Sequence, residues 1–199
     1  VVVESQGTRT LICKGASEGV FLACSRVDAA SQKLVDSFGA EGFRVLAVAT
    51  RTVPVQTHYG PEDEKDLNLD GFLVFMYPPL PDALEVLHRL QGAGLQVKVI
   101  TGDSEVVSGH VCTSIGLALS TIVLGSALPT LTDAALGVVA EKTTVFARVN
   151  PAQKNRIILA LKSRGHVVGY MGDGINDAPS LHTADVGISF AGATDVAKD

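Results

Sequence analysis

Residues 169–181 decide the fold and read Gly169-Tyr170-Met171-Gly172-Asp173-Gly174-Ile175-Asn176-Asp177-Ala178-Pro179-Ser180-Leu181. An apolar strand is predicted to end at Gly172 and Gly174, which permit a tight turn. Asp173 and Asp177 follow four residues apart, with Asn176 between them. Ligands of open α/β sheets collect beyond the carboxyl ends of strands, and oxygen ligands there suit Mg²⁺. Taken alone, a Gly-Asp turn and a helix cap would explain the same residues.

Length and composition set broad limits on the class of protein. The chain has 199 residues, of which 46% are hydrophobic and 19% charged, so it is globular with one large or two small domains. The net charge is −5 and no Lys/Arg-rich stretch appears, which argues against a nucleic-acid partner. The three cysteines, Cys13, Cys24 and Cys112, show no C-x-x-C spacing. We therefore expect reduced thiols, without disulfides or a zinc site.

The sequence predicts no transmembrane segment. Residues 106–132 contain no Asp, Glu, Lys or Arg, yet they do not form the continuous apolar run of about 20 residues that a membrane helix needs. The chain begins with Val1 rather than methionine and shows no signal peptide. We expect a soluble piece of a longer protein.

The pattern of the first part predicts an α+β domain over residues 1–76. Strands are predicted at 1–3, 10–13, 43–50 and 69–76, helices at 18–24 and 32–38, and a surface loop at 52–66. Tyr77 then precedes Pro78 and Pro79. Two consecutive prolines stiffen the backbone, so residues 77–80 are predicted to form a hinge between two domains.

The second part, residues 81–199, alternates strands and helices regularly. Helices are predicted over 82–91, 104–115, 132–139 and 151–162, and strands over 95–100, 121–124, 143–147, 167–171 and 186–189. This alternation predicts an α/β fold with a doubly wound parallel sheet and right-handed crossovers.

Further polar residues stand at predicted strand ends. Thr101-Gly102-Asp103 follows one strand and precedes a helix, whose N–H groups would attract a phosphoryl group; a simple helix cap is the alternative. Lys154 lies in the first turn of a helix, where the dipole disfavours a cation, although surface lysines are common. Lys14-Gly15 could bind phosphate or adenine, or Lys14 could simply be solvated.

Together these motifs resemble a known superfamily. Thr101, Lys154 and the acidic pair Asp173 and Asp177 are similar to motifs two, three and four of the haloacid dehalogenase superfamily. Within it, the run from Asp173 to Pro179 resembles the hinge signature of the P-type ATPases, and Lys14-Gly15-Ala16 and Arg44 resemble their nucleotide-binding residues.

Three further stretches resemble the bacterial magnesium-importing members in particular. They are residues 101–107, residues 146–148, and residues 165–169, which lead into the hinge signature.

The resemblance implies a role for each site residue. Thr101, Gly102 and Lys154 would hold phosphoryl oxygens, with Asn176 supporting the catalytic site. Lys14, Gly15, Arg44 and Asp103 would face ATP, and Asp173 and Asp177 would bind Mg²⁺. An anionic nucleophile must approach an anionic phosphate, so charge neutralisation and positioning dominate such chemistry.

The chain departs from the family pattern in two places. The family's phosphorylated aspartate lies in an Asp-Lys-Thr-Gly-Thr motif, and this string does not occur here. Its Asp-Pro-Pro-Arg/Lys hinge reads Tyr77-Pro78-Pro79-Leu80, a change that could weaken the coupling between domains.

The resulting interpretation is a cytosolic region of a P-type cation-transporting ATPase. Residues 1–76 would be the later part of the nucleotide-binding domain, and residues 81–199 the phosphorylation domain without its nucleophile segment. The implied partners are ATP, Mg²⁺, and the remaining domains and membrane helices of the same pump, at the cytoplasmic face of the cell membrane. The isolated chain would be inactive. Two alternatives stay open: a soluble Mg-dependent phosphatase of the same superfamily, and a non-catalytic degenerate pump or nucleotide-binding module.

Overall fold

The computed structural model describes residues 1–76, 78–172 and 177–189. The chain divides into two compact units, Val1–Pro78 and Pro79–Asp199. The boundary falls within the predicted hinge at residues 77–80, of which Tyr77 lies outside the described residues. No helix in the described part of the chain is long and apolar enough to cross a membrane.

The first unit is a five-stranded sheet with two helices. Its strands are β1 (Val2–Ser5), β2 (Thr8–Ala16), β3 (Cys24–Arg26), β4 (Arg44–Val53) and β5 (Leu67–Phe75), in the order β1-β2-β4-β5-β3. The helices are α1 (Ser17–Ala23) and α2 (Ala29–Ala40), and a 3₁₀ turn covers Pro61–Asp63. Among the described ladders of this unit, only the β3–β5 pair is parallel.

Hydrophobic alternation along the strands builds the core of this unit. Leu11 of β2 and Ala47 and Ala49 of β4 are buried against Val20 of α1. Successive side chains of a strand point to opposite faces, so one face of the sheet carries this core.

Several predicted boundaries in the first unit were wrong. The strand predicted to end at Cys13 continues to Ala16, because Lys14, Gly15 and Ala16 all pair with β4. The helix predicted to begin at residue 18 begins at Ser17. Cys24 belongs to β3, where it pairs with Leu67, and not to the preceding helix.

The second unit alternates strands and helices as predicted. Its elements are α3 (Ala83–Gly92), β6 (Val99–Ile100), α4 (Glu105–Ser114), β7 (Ile122–Leu124), a 3₁₀ helix (Gly125–Thr130), α5 (Asp133–Lys142), β8 (Val145–Ala147), α6 (Pro151–Ser163), β9 (Gly169–Met171), α7 (Ala178–Thr183) and β10 (Val186–Ile188). The strands form two parallel ladders, β6-β8-β7 and β9-β10.

Helices cover both faces of the sheet around β8. Phe146 packs into a cluster with Leu136 of α5 and Ile157 of α6. Its neighbours Val145 and Ala147 point the other way, into a cluster that includes Cys112 of α4. The predicted α/β fold with a doubly wound parallel sheet is therefore confirmed.

Hydrogen bonds at the helix ends explain which predicted boundaries agree with the structure and which do not. The helices predicted to begin at 132 and 151 are found there: the Thr132 hydroxyl accepts the N–H of Ala135 at the start of α5, and Pro151 occupies the first turn of α6. The strand predicted over 95–100 is only Val99–Ile100, because the N–H of Leu95 still bonds Leu90 O in the turn that closes α3. The sequence did not predict α7 or the 3₁₀ helix.

Candidate functional site

The loops after β6 and β8 are joined by backbone hydrogen bonds. The N–H of Thr101 donates to Phe146 O at 2.9 Å, and the N–H of Val149 donates to Thr101 O at 3.1 Å. One step further, the N–H of Arg148 donates to Asp103 O at 2.9 Å. The predicted strand-end residues of β6 are thus brought to the loop that leads into α6.

The Thr101 side chain is fixed within its own turn. Its Oγ1 accepts the N–H of Asp103 at 3.1 Å and donates to Asp103 Oδ2 at 3.2 Å. The helix cap belongs to Ser104, whose hydroxyl accepts the N–H of Val107. Since Ser104 caps α4, Thr101 and Asp103 are not needed for capping.

Gly102 lies exposed at the tip of this turn. A Cβ added there would lie 3.6 Å from Val149 O, an ordinary contact. Packing among the described residues therefore does not demand a glycine at this position.

Arg148 holds the second loop in an unusual conformation. Its φ is 55°, a region that few non-glycine residues adopt, and its Nε lies 2.7 Å from Glu105 Oε2. The hydrogen bond from Arg148 holds the pKa of Glu105 below its usual value. A Cβ on Gly125 would overlap the carbonyl of Arg148, so Gly125 makes room for this conformation.

A buried ion pair joins α6 to the start of α7. Nζ of Lys154 lies 2.7 Å from Oδ1 of Asp177, with only 14% and 13% of the two side chains exposed. The hydroxyl of Tyr170, from β9, donates to the same oxygen at 2.8 Å. Lys154, whose charge interacts unfavourably with the dipole of α6, thus has an anionic partner.

Gly172 makes space for the Asp177 side chain. A Cβ on Gly172 would lie 2.7 Å from Asp177 Cβ and 3.0 Å from its Cγ. The N–H of Gly172 also bonds Ile188 O at 3.1 Å, which ties the end of β9 to β10. Because real Cβ atoms do not approach so closely, a larger residue at position 172 would displace the carboxylate.

Carboxylate and amide oxygens, which this segment supplies, are the ligands that Mg²⁺ prefers. Asp173 and Asn176, predicted as a metal ligand and a catalytic residue, lie outside the described residues. Among the residues that are described, no group of three or more His, Cys, Asp or Glu could hold a metal ion. Oδ1 of Asp177 already bonds an ammonium, and two cations at one oxygen repel each other. Asp177 therefore fits a supporting position better than that of sole ligand.

The predicted nucleotide-binding residues of the first unit do not all face the same way. Lys14 pairs with Val48, and Arg44 precedes Val48 by four residues on β4, so their side chains share one face of the sheet. Gly15 pairs with Ala47 on the opposite face, where its added Cβ would lie 3.7 Å from Val20 Cγ2. Lys14 and Gly15 thus address different sides of the sheet.

An apolar surface lies between the two cations. Leu46 pairs with Leu73, and Arg44 with Phe75, on the face that carries Lys14. Leu73 and Phe75 are 42% and 38% exposed. The step of four positions from Arg44 to Val48 spans about 13 Å along β4. This face therefore offers apolar contact with a cation near each end.

The sequence predicted no role for Tyr170, and for Gly172 it predicted only a place in the turn. A signal for Tyr170 was present, since it brings a polar tip into an otherwise apolar strand, and a buried tyrosine hydroxyl usually finds a partner. The partner itself, Asp177, could not be read from the chain because the contact depends on the turn between β9 and α7.

The fold and this site define a class of protein. The chain matches the haloacid dehalogenase-like hydrolases over residues 18–185, and it belongs to that family. Its two parallel ladders, with polar residues beyond the carboxyl ends of β6, β8 and β9, agree with this membership.

More particular similarities are to P-type ATPases. The chain is 42% identical over its whole length to a protein of Escherichia coli K12 named Magnesium-transporting ATPase, P-type 1, and 40% identical to the protein of that name in Salmonella typhimurium LT2. It is 34% identical, over 96% of its length, to Cation-transporting ATPase pma1 of Synechocystis. The chain spans about a quarter of the length of these relatives (24%, 24% and 23%).

Proposed function

We propose that this chain is the ATP-binding and phosphorylation region of a P-type ATPase that transports magnesium, working through an aspartyl phosphate whose aspartate is not in this chain. The observation that carries the proposal is the Lys154–Asp177 pair, held by Tyr170 at the carboxyl edge of a parallel sheet. The similarity of the whole chain to magnesium-transporting ATPases supports it further. A soluble phosphatase of the same family has no comparable support, because the relatives named above are ATPases of ion transport.

In this proposal the second unit is the phosphorylation domain. Thr101 and Gly102 stand on a turn with a rigid hydroxyl and an exposed backbone, suited to contact phosphoryl oxygens. Lys154 supplies positive charge at the same edge, where it offsets the charge of an incoming phosphate. The attacking aspartate would come from outside this chain, since the sequence has no Asp-Lys-Thr-Gly-Thr string.

Mg²⁺ would be held by Asp173, with Asn176 and Asp177 supporting it and Asp103 facing the nucleotide. When bound, the ion would neutralise phosphate charge and orient the phosphoryl group. The residues of this chain do the remaining work: the Thr101 hydroxyl and Lys154 position phosphoryl oxygens, and Tyr170 keeps Asp177 in place.

The first unit is proposed to be part of the nucleotide-binding domain. The apolar surface around Leu73 and Phe75 would receive the base, while Lys14 and Arg44 would contact phosphates or ring edges. The remaining domains and membrane helices of the same pump are the proposed partners, with this region at the cytoplasmic face of the membrane.

Nucleotide titration tests the binding surface. ATP added to the chain should shift the amide NMR signals of β2, β4 and β5, and Lys14→Ala and Arg44→Ala should each weaken the affinity. Lys33→Ala removes an exposed cation of α2 and serves as the matched control. Equal affinity in the wild type and both site variants would overturn the assignment of Lys14 and Arg44.

A further inference from the structure

The position of the Tyr170 hydroxyl is set by the core rather than by the site. Tyr170 is 8% exposed and packs with Ile158 of α6 and Leu181 of α7. Its ring therefore has little freedom. The hydroxyl donates to Asp177 Oδ1 at 2.8 Å, and the direction of this hydrogen bond is set by the packed ring.

Two donors from two different elements meet at one carboxylate oxygen. Lys154 reaches Oδ1 of Asp177 from α6 at 2.7 Å, and Tyr170 reaches it from β9. On the other side, the carboxylate lies over Gly172, where an added Cβ would be 3.1 Å from Oδ2. The orientation of the carboxylate is thus defined from both sides.

A lysine alone would not define that orientation. Its ammonium is a compact charge on a flexible stem, and either oxygen of a carboxylate satisfies it. A phenol on a packed ring is directional, because its hydrogen bond weakens steeply away from linearity. The phenol therefore selects the oxygen that Lys154 binds, and with it the place of the ammonium.

We propose that Tyr170 is a positioning residue of the phosphoryl site: its hydroxyl orients the Asp177 carboxylate and, through it, fixes the Lys154 ammonium. The inference rests on the proposed function for its consequence, since a fixed ammonium is useful where phosphate charge must be neutralised. The positioning itself concerns only residues of this chain.

Tyr170→Phe in the full 199-residue chain removes the hydroxyl and keeps the ring. The matched control is Tyr59→Phe in the first unit, where the tyrosine hydroxyl donates to Pro54 O at 2.8 Å. NMR of the lysine side chains measures the order of the Lys154 ammonium in each variant. We expect Lys154 to become mobile, approaching the exposed Lys142, in Tyr170→Phe and to stay ordered in Tyr59→Phe.

A purely structural role gives a different result. If Tyr170→Phe lowers the melting temperature but leaves the order of Lys154 unchanged, the positioning role is overturned. The same substitution in an Asp177→Asn background tests whether the effect on Lys154 passes through the Asp177 carboxylate. If it does, Tyr170→Phe must leave the order of Lys154 unchanged in that background. An effect that persists in that background also overturns the proposal.

A Mg²⁺ titration of the same variants separates this inference from the proposed function. Loss of an outer-shell partner typically weakens metal binding by about 10-fold or more, so the titration midpoint of Tyr170→Phe should rise by about that factor. An unchanged midpoint contradicts the use of the positioned pair at a metal site. No Mg²⁺ binding by the wild-type chain counts against the proposed metal site, while the lysine measurement still decides the positioning.

Discussion

Nζ of Lys154 lies 2.7 Å from Oδ1 of Asp177, although the two residues lie 23 positions apart in the sequence. The contact joins α6 to the residue that precedes α7, and both side chains are largely buried. It connects the segments that follow β8 and β9, which carry the residues proposed for phosphoryl chemistry.

Lys154→Met should destabilise the second unit. Removing the lysine leaves the largely buried Asp177 carboxylate without its cation, and breaking a buried pair in this way costs about 3 kcal/mol. Urea unfolding followed by circular dichroism measures the loss. Lys142→Met, at an exposed position of α5, should change the free energy of unfolding by less than about 0.5 kcal/mol. Equal effects of the two substitutions would contradict the ion pair.

Gly172→Ala should displace the Asp177 side chain. The new methyl group would lie 2.7 Å from Asp177 Cβ, so the turn must shift, at a cost of about 2 kcal/mol. The NMR signals of Lys154 and Tyr170 should change with it. Gly92→Ala is the control, because a Cβ at Gly92 meets nothing within 4 Å. A Gly172→Ala variant with wild-type stability and unchanged Lys154 signals would refute the close contact.

Acid should weaken the contact between α5 and the turn after α6. Hydrogen bonds from Arg164 and, to a smaller extent, from His166 lower the pKa of Glu141 from 4.5 to about 2. Because the folded-state pKa is the lower one, this stabilisation is present above pH 4.5 and is lost as the pH falls toward 2. Between these values the stability of the wild type should fall more steeply than that of Glu141→Gln.

Glu85→Gln, on the exposed side of α3, is the control for the pH experiment and should follow the wild type. Parallel curves for the wild type and Glu141→Gln would show that the Glu141 carboxylate does not contribute in this range.

The chain by itself should form no phosphoenzyme. The residues proposed to hold phosphoryl oxygens are present, but a displaced carboxylate such as Asp177, held by Lys154 and Tyr170, is badly positioned to attack. Incubation with γ-labelled ATP and Mg²⁺, followed by acid quench, should leave no label that hydroxylamine removes. Stoichiometric label would identify an internal nucleophile. Fusion of a segment with the Asp-Lys-Thr-Gly-Thr motif should restore labelling.

Much of the second unit could be predicted because its signals are local. Thr132 before an amphipathic run, and Pro151 in a first turn, mark helix starts through hydrogen bonds made within a few residues. The lengths of β2 and β6 were harder to predict. Pairing with β4 extends β2 to Ala16, and the turn that closes α3 delays β6 to Val99.

The sequence by itself determined the α/β class, the parallel order of strands and helices, and the polar residues at the strand ends, since periodicity and turn chemistry act between near neighbours. Only the tertiary structure decided which of those residues meet. It placed Lys14 and Gly15 on opposite faces of one strand and joined Lys154, Asp177 and Tyr170 at a single oxygen. The physical reason is that such contacts depend on register and on packing between distant elements, and no local pattern encodes them.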